Sequence, residues 1–317
     1  MLQVLNITAP IYLLIAAGFL AVRLGIFRRD EMRFLGRLLV LFVLPALVFR
    51  AITRYSLDEV LNLRYLAVYG LGSLAVLLLG ALIGKSRGLN RPASAFYGMG
   101  LSASNTVFVG YPIVSQIVGP AADIALALCL VIENLMIIPT TLVLADASEQ
   151  LPWHKALMRS FKALLRNPIF LSILAGFAFM LLELQAPAAL DRTLAIASGA
   201  AAPIALFMIG GVLVGQKLDG AKQDMATIAL GKLLLHPVAV FLAVLVLPPL
   251  EPPMMTAALL FAAMPLPAVY PALAQRYGLD GFCSTALVAA TVLSFLTLNT
   301  WLWLLPDVAQ WLTSLTH

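Results

Sequence analysis

Met264-Pro265-Leu266-Pro267-Ala268-Val269-Tyr270-Pro271 and Ser104-Asn105-Thr106-Val107-Phe108-Val109-Gly110-Tyr111-Pro112 each interrupt a long apolar run. A proline inside a helix removes one backbone hydrogen bond and clashes with the preceding turn. Pro265, Pro267 and Pro271 lie within seven residues, so no regular helix runs through them. The pair Gly110-Tyr111-Pro112, preceded by polar Ser104, Asn105 and Thr106, reads as a second, weaker break. Backbone that leaves the helix at membrane depth is tolerated only where it is buried in protein or lines a watery cavity. Two such breaks predict helices that cross near the middle of a membrane.

The rest of the chain supplies that membrane context. Of 317 residues, 62% are hydrophobic and 11% charged, with mean hydropathy +0.99. A soluble domain of this composition could not cover its surface with polar groups. That excludes a cytosolic enzyme, a disordered chain and a nucleic-acid-binding module, despite a pI of 9.4. Apolar runs at about 20 residues per crossing predict ten spans. They are Ile7–Leu24, Phe34–Ile52, Tyr65–Gly84, Ala95–Val118, Ile124–Leu144, Pro168–Glu183, Leu194–Gly215, Ala226–Leu247, Met254–Arg276 and Phe282–Leu305. The runs are long and continuous rather than short and alternating, so an all-α polytopic membrane protein is expected, not a barrel. Arg23, Arg28, Arg29, Arg33 and Arg37 fall on the first connection. Lys85, Arg87 and Arg91 fall on the third, Lys155, Arg159, Lys162 and Arg166 on the fifth, Lys217 and Lys222 on the seventh, and Arg276 on the ninth. Only Arg50, Arg54, Arg64 and Arg192 fall on the even connections. The positive-inside rule then puts odd connections in the cytoplasm and both termini outside. No positive charge precedes the first run, which argues against a signal peptide. A multi-pass plasma membrane protein, in a bacterium the inner membrane, is the expected location.

Tyr111-Pro112 begins the pattern YPxxxQxxG, ending at Gly119, and the pattern recurs from Tyr270 to Gly278. Leu44-Pro45-Ala46-Leu47-Val48-Phe49 resembles Ala202-Pro203-Ile204-Ala205-Leu206-Phe207 at nearly the same offset. Both matches fall at equivalent spans of two five-span halves. The expected division is 1–144 as a first repeat, 145–167 as a cytoplasmic linker, and 168–317 as a second repeat. Five is odd, so the second half enters from the opposite side, the inverted repeat of secondary transporters. Half-helices are expected to start after Pro112 and after Pro271, each presenting unpaired N–H groups and part of a positive charge. Two such ends form an anion site without a buried arginine. Asn105, Thr106, Gly110, Tyr111, Pro112, Pro265, Pro267, Tyr270 and Pro271 are its candidate lining, with Asn105, Thr106 and Tyr270 adding neutral hydrogen bonds.

Few ionisable groups lie within the spans. Glu133 sits near the centre of span five beside Asn134. An intramembrane carboxylate is expensive and marks a candidate proton-coupling site. Lys232 and His236, four apart, share a helix face. Lys232 either snorkels to the interface or pairs with Glu133 or a substrate. His236 serves as a proton relay or as a packed neutral ring. Cys129 and Cys283 read as small buried hydrophobes. Within the linker, Trp153, Leu157, Phe161, Leu164 and Leu165 recur at helical spacing against basic residues, as in an interfacial amphipathic helix. Trp301, Trp303 and Trp311 suggest an aromatic belt. No catalytic set, metal cluster or nucleotide loop is present in the sequence pattern, so neither an enzyme nor a cofactor is expected.

Ser104 through Pro112, Arg166-Asn167-Pro168, Pro203 through Gly210, Lys232 through Pro237, and Pro271 through Gly278 together resemble the signatures of the auxin efflux carrier family. That family includes bacterial malate and malonate permeases and is similar in fold to bile acid:sodium symporters. The resemblance implies ten spans with crossed broken helices four and nine, a scaffold part and a transport part, and a homodimer in the lipid bilayer. It implies alternating-access transport of a small organic anion, a mono- or dicarboxylate, with a proton as candidate coupling ion. A sodium-coupled or voltage-driven carrier of auxin-like or sterol-like anions, and a non-transporting receptor or channel, are the alternatives.

Overall fold

Helix follows helix along this sequence because its apolar runs are rich in Leu, Ala and Met, which lose little freedom in a helix. The computed structural model describes residues 2–54, 62–146, 165–184, 186–215 and 222–315, with 158 and 162 between them. In chain order the helices are α1 (Leu2–Arg23), α2 (Arg29–Thr53), α3 (Leu63–Ser86), α4 (Arg91–Ser102), α5 (Tyr111–Val118) and α6 (Ala121–Asp146). They continue as α7 (Pro168–Leu181), α8 (Ala188–Leu213), α9 (from Lys222 through to Val246), α10 (Pro252–Ala263), α11 (Tyr270–Ala274) and α12 (Asp280–Leu315). No strand occurs among the described residues. Six helices there are long and apolar enough to cross a membrane: α2, α3, α6, α8, α9 and α12. Large apolar side chains such as Leu13, Phe34, Phe42, Leu82, Ile196, Val246 and Leu296 point outward with no protein over them. That is the surface of a multi-pass membrane protein, for which lipid completes the burial. The linker helix expected within 145–167 falls largely outside the described residues.

Asn62, Asn90 and Asn167 open α3, α4 and α7 by accepting hydrogen bonds from Tyr65, Ala93 and Ile169 backbone N–H groups. Each satisfies a donor that the first turn leaves orphaned. Prolines in the middle of spans are absorbed differently. Leu39–Val43, Thr106–Gly110, Glu133–Ile137 and Gly231–Leu235 are π-helical turns. A single residue separates each from a proline: Pro45, Pro112, Pro139 and Pro237. The residue before each proline bonds five residues back, as Tyr111 N–H does to the Thr106 carbonyl. One extra residue per turn accommodates the missing donor, so the chain stays helical through these prolines.

The helices pack in two groups that cut across the order of the sequence. In the first, α1 lies along the second half of α8, and α7 lies along the second half of α2. In the second, α3 packs on α4 and α9, α6 on α4, and α10 contacts α5, α6, α9 and α12. The groups meet where α8 faces the Thr106–Gly110 turn and α2 faces α6. Close approach within each group depends on glycine. A Cβ at Gly210 would lie 1.8 Å from the Ile15 carbonyl oxygen, and one at Gly18 would lie 1.9 Å from the Phe207 carbonyl oxygen. At Gly98 it would meet the Leu77 carbonyl oxygen at 2.2 Å. Backbones packed this closely replace the hydrophobic drive that lipid does not provide.

Gly210→Ala should therefore force α1 and α8 apart and cost about 1–3 kcal/mol, the usual range for overpacking. Gly199→Ala, where a Cβ meets nothing within 4 Å, should leave stability unchanged or raise it slightly. Thermal unfolding of the two variants in detergent distinguishes them; equal midpoints would contradict the packing account.

Candidate functional site

The two interruptions meet. Between α4 and the Thr106–Gly110 turn the backbone leaves the helix at Ala103, Ser104 and Asn105. Between α10 and α11 it does so from Met264 through the residues preceding Tyr270. The Asn105 N–H donates to the Pro265 carbonyl oxygen at 2.7 Å, so one break satisfies the other. The Asn105 side chain accepts from the Phe108 N–H at 3.1 Å and caps the turn that starts there. Tyr270 is fully buried and donates its hydroxyl to the Phe96 carbonyl of α4 at 2.7 Å.

The first break lies earlier than the sequence pattern suggested. Gly110-Tyr111-Pro112 sits inside continuous helix, because the π turn absorbs Pro112. The half-helix therefore starts at Thr106, not after Pro112. In the second stretch Pro265 and Pro267 stand too close together for a π turn, and the backbone stays open until Tyr270. Gly110 has a packing role: a Cβ there would lie 2.9 Å from the Phe261 ring of α10. The paired YPxxxQxxG motifs behave alike only at their ends. Tyr270 opens its helix whereas Tyr111 continues one, but Gly119 and Gly278 close the two motifs alike, at φ +60° and +69°. Such backbone favours glycine past a helix end.

A cavity of about 370 Å³ lies against the crossing. Ser104, Asn105, Thr106, Glu133, Asn134, Asn167 and Pro267 line it, with Val40, Leu44, Phe108, Val269 and Leu273 as apolar wall. It extends toward the end of the bundle where Asn167 begins α7. A smaller cavity of about 200 Å³ lies at the other end, lined by Leu47, Arg50, Arg54, Tyr111, Asp123 and Ser198. Tyr111 donates to Asp123 there at 2.6 Å, and Arg50 pairs with Asp191 at 3.1 Å. Leu44 and Leu47, and likewise Phe108 and Tyr111, belong to different cavities although each pair is three residues apart. At 1.5 Å of rise per residue, the cavities are separated by about 4.5 Å along α2.

Behind the crossing is a buried polar network. The Glu133 carboxylate accepts from the Ser104 N–H at 3.3 Å and the Thr106 hydroxyl at 3.4 Å. Lys232 is 0% exposed. Its Nζ donates to Ser104 Oγ at 2.9 Å and the Ala262 carbonyl at 2.6 Å, and contacts His236 Nδ1 at 2.8 Å. Lys232 thus neither snorkels nor forms a direct ion pair with Glu133; Ser104 stands between them. His236 Nε2 lies 2.8 Å from Ser73 Oγ, and the Tyr69 hydroxyl donates to Ser104 Oγ at 3.3 Å. Asn134 donates to the Leu130 carbonyl and accepts from Asn167 Nδ2 at 3.2 Å. The charges complement the helix ends: Lys232 sits at the carbonyl end of α10, and Glu133 at the N–H end of the Thr106 turn.

Of the sequence candidates, Asn105, Thr106, Pro267, Glu133 and Asn134 border the larger cavity, and Pro265 joins the crossing through its backbone. Gly110 packs against Phe261 and Tyr270 against α4, Pro112 and Pro271 line neither cavity, Tyr111 faces the smaller cavity, and Lys232 and His236 lie behind Ser104. Ser73, Tyr69 and Ala262 carry no sequence signal for their places in the network. Ser104 was visible only as a polar neighbour of Asn105. Trp301 leaves the expected belt, donating its indole N–H to the Leu233 carbonyl at 3.0 Å, whereas Trp303 is exposed. The Trp311 side chain lies outside the described residues. Among the described residues no group of three or more His, Cys, Asp or Glu could hold a metal.

Crossed interruptions beside a polar-edged cavity in a membrane bundle are the build of a transporter. The family model described as "Membrane transport protein" matches residues 4–302, and the chain belongs to that family, the auxin efflux carriers that its motifs resemble. It is 27% identical over 314 residues to a protein of Rhizobium meliloti (strain 1021) named "Putative malonate transporter", covering 98% of each chain. It is 24% identical over 238 residues to "Uncharacterized transporter YfdV" of Escherichia coli (strain K12), covering 74% of this chain and 76% of that one.

Asn105→Ala removes the cap on the Thr106 turn and should lower stability by about 1 kcal/mol. Asn105→Ser keeps an uncharged accepting oxygen at the cap and should retain part of it. Thermal melts of the purified variants read the difference, and an unchanged midpoint for Asn105→Ala would contradict the capping role.

Proposed function

We propose that this chain is a secondary transporter of a small organic anion, a mono- or dicarboxylate, working by alternating access at the crossing of the two breaks. The observation that carries this reading is the Asn105–Pro265 backbone bond beside the larger cavity, which Asn105 lines. The substrate carboxylate would meet the N–H end of the Thr106 turn, with Asn105, Thr106, Asn134 and Asn167 as neutral partners. The name of the Rhizobium meliloti relative supports a dicarboxylate such as malonate.

The two cavities support alternating access. The larger borders the crossing, and the smaller begins three residues further along, at Leu47 and Tyr111, beyond Leu44 and Phe108. Sliding of the helix group that holds the breaks against α1, α2, α7 and α8 would close one cavity and open the other. Inverted repeats are supported by the pairing of α1 with α8 and of α7 with α2, which exchange under such a symmetry. Sidedness is supported by contacts between connections. Arg87 bonds Asp224, and Arg276 bonds Asp146, both within the set assigned to the cytoplasm. Arg50 bonds Asp191, and Arg64 reaches the Pro249 carbonyl, within the other set. On this assignment the larger cavity opens to the cytoplasm, both termini lie outside, and the protein sits in the plasma membrane as a homodimer. Glu133, at the cavity edge and in contact with both Ser104 and Thr106, is the proposed proton-coupling group.

Purified protein in liposomes should accumulate labelled malonate or malate, faster under an imposed pH gradient. Glu133→Gln should transport with that pH dependence abolished. Absence of flux across a broad carboxylate panel would defeat the carrier reading; wild-type pH dependence in Glu133→Gln would defeat the coupling role alone.

A further inference from the structure

A metal cation at the polar crossing would need converging oxygens. Buried oxygens do converge there, from the last turn of α10 and from the first break. The Ala262 carbonyl and Ser104 Oγ lie 2.6 Å and 2.9 Å from one point, and His236 Nδ1 lies 2.8 Å from it. That point is the Nζ of Lys232, a side chain with no exposure.

The set suits an ammonium and not a sodium ion. Lysine Nζ has three donors and no acceptor, and three acceptors surround it. With all three Nζ–H bonds donated, His236 Nδ1 must accept and Nε2 carries the proton, which points to Ser73 Oγ at 2.8 Å. Every polar atom of the cluster then has a complementary partner. A hard metal cation instead takes oxygen ligands throughout its shell. Here one of the three nearest groups is an imidazole nitrogen, and the Glu133 carboxylate is engaged by Ser104 N–H and Thr106 Oγ1. An ammonium there is complemented on two sides: carbonyls that end α10 carry partial negative charge, and Ser104 links Lys232 to Glu133.

We propose that Lys232 is a tethered cation, filling permanently the position at the crossing that a coupling metal ion would occupy, so that sodium neither binds there nor drives the transport cycle. Lys232 reaches both interruptions, Ser104 in one and Ala262 at the edge of the other, and so holds the crossing together in every turn of that cycle. The inference deepens the transporter reading by fixing what its coupling ion is not. Its test uses no substrate, so its failure is distinct from a failure to find flux.

The measurement is thermal unfolding of the purified full chain in chloride salts at equal ionic strength. The wild type should melt at the same temperature in sodium as in choline. A sodium-specific rise would overturn the proposal. Lys232→Ala leaves an ammonium-sized space, and methylammonium, which carries the same head group, should raise its midpoint over choline by on the order of 3–6 °C at saturation. Lys232→Met fills the space without a charge and should show no methylammonium effect. Equal midpoints of Lys232→Ala in methylammonium and choline, or an equal response of Lys232→Met, would overturn the proposal. If Lys232→Ala folds only when extracted in methylammonium, that is itself the rescue expected. If it folds in neither salt, the wild-type comparison of sodium with choline decides.

Discussion

One backbone hydrogen bond, from Asn105 N–H to the Pro265 carbonyl, holds the rest of this structure in place. Within a membrane an unpaired backbone group finds no water, so a chain that leaves the helix must satisfy its N–H and C=O groups inside the protein. The two interruptions do this for each other. The Asn105 side chain caps its own turn, and Tyr270 ties the second break to the Phe96 carbonyl of α4. The helices that surround the crossing are arranged around this requirement. Gly98 lets α4 sit against α3, and Gly110 lets the Thr106 turn sit against α10, so both interruptions can reach the same place.

The charged groups behind the crossing follow the same constraint. An isolated buried ammonium or carboxylate is strongly unfavourable, and breaking a buried pair typically costs 3–5 kcal/mol. Lys232 and Glu133 are not in direct contact. Ser104 links them, its hydroxyl accepting from the ammonium and its N–H donating to the carboxylate. Each charge also faces the helix end of opposite partial charge. The network therefore sits at the interruption because an interruption is where helix ends, with their unpaired groups and partial charges, come inside the protein. The same ends leave the larger cavity edged by amide and hydroxyl groups while its walls remain apolar.

Much of this was legible in the residues. Apolar runs fixed the helical character, and Pro265, Pro267 and Pro271 located the second interruption. The first was misplaced by several residues, because a lone mid-span proline does not break a helix when the turn before it can widen. Pro45, Pro112, Pro139 and Pro237 all follow such turns. Pro265 and Pro267, two residues apart, leave no room for one. Lys232 could not be placed from its own run either. Its depth suggested a route to the interface, and only the neighbouring helices turn it inward to Ser104 and Ala262.

Local chemistry explains this division. The sequence by itself determined the membrane environment, the helices, the proline-rich second interruption and the repeated YPxxxQxxG motifs with their closing glycines, because these depend on composition and on residues a few positions apart. The tertiary structure alone decided which break satisfies which, that Ser104, Ala262 and His236 surround one lysine, and that a second cavity lies beyond Leu47 and Tyr111. Those facts depend on groups separated by much of the chain, such as Ser104 and Lys232, or Asn105 and Pro265. No periodicity within a run encodes the meeting of two runs; it follows from the packing of close-fitting helices and from the need to pair every backbone group away from water.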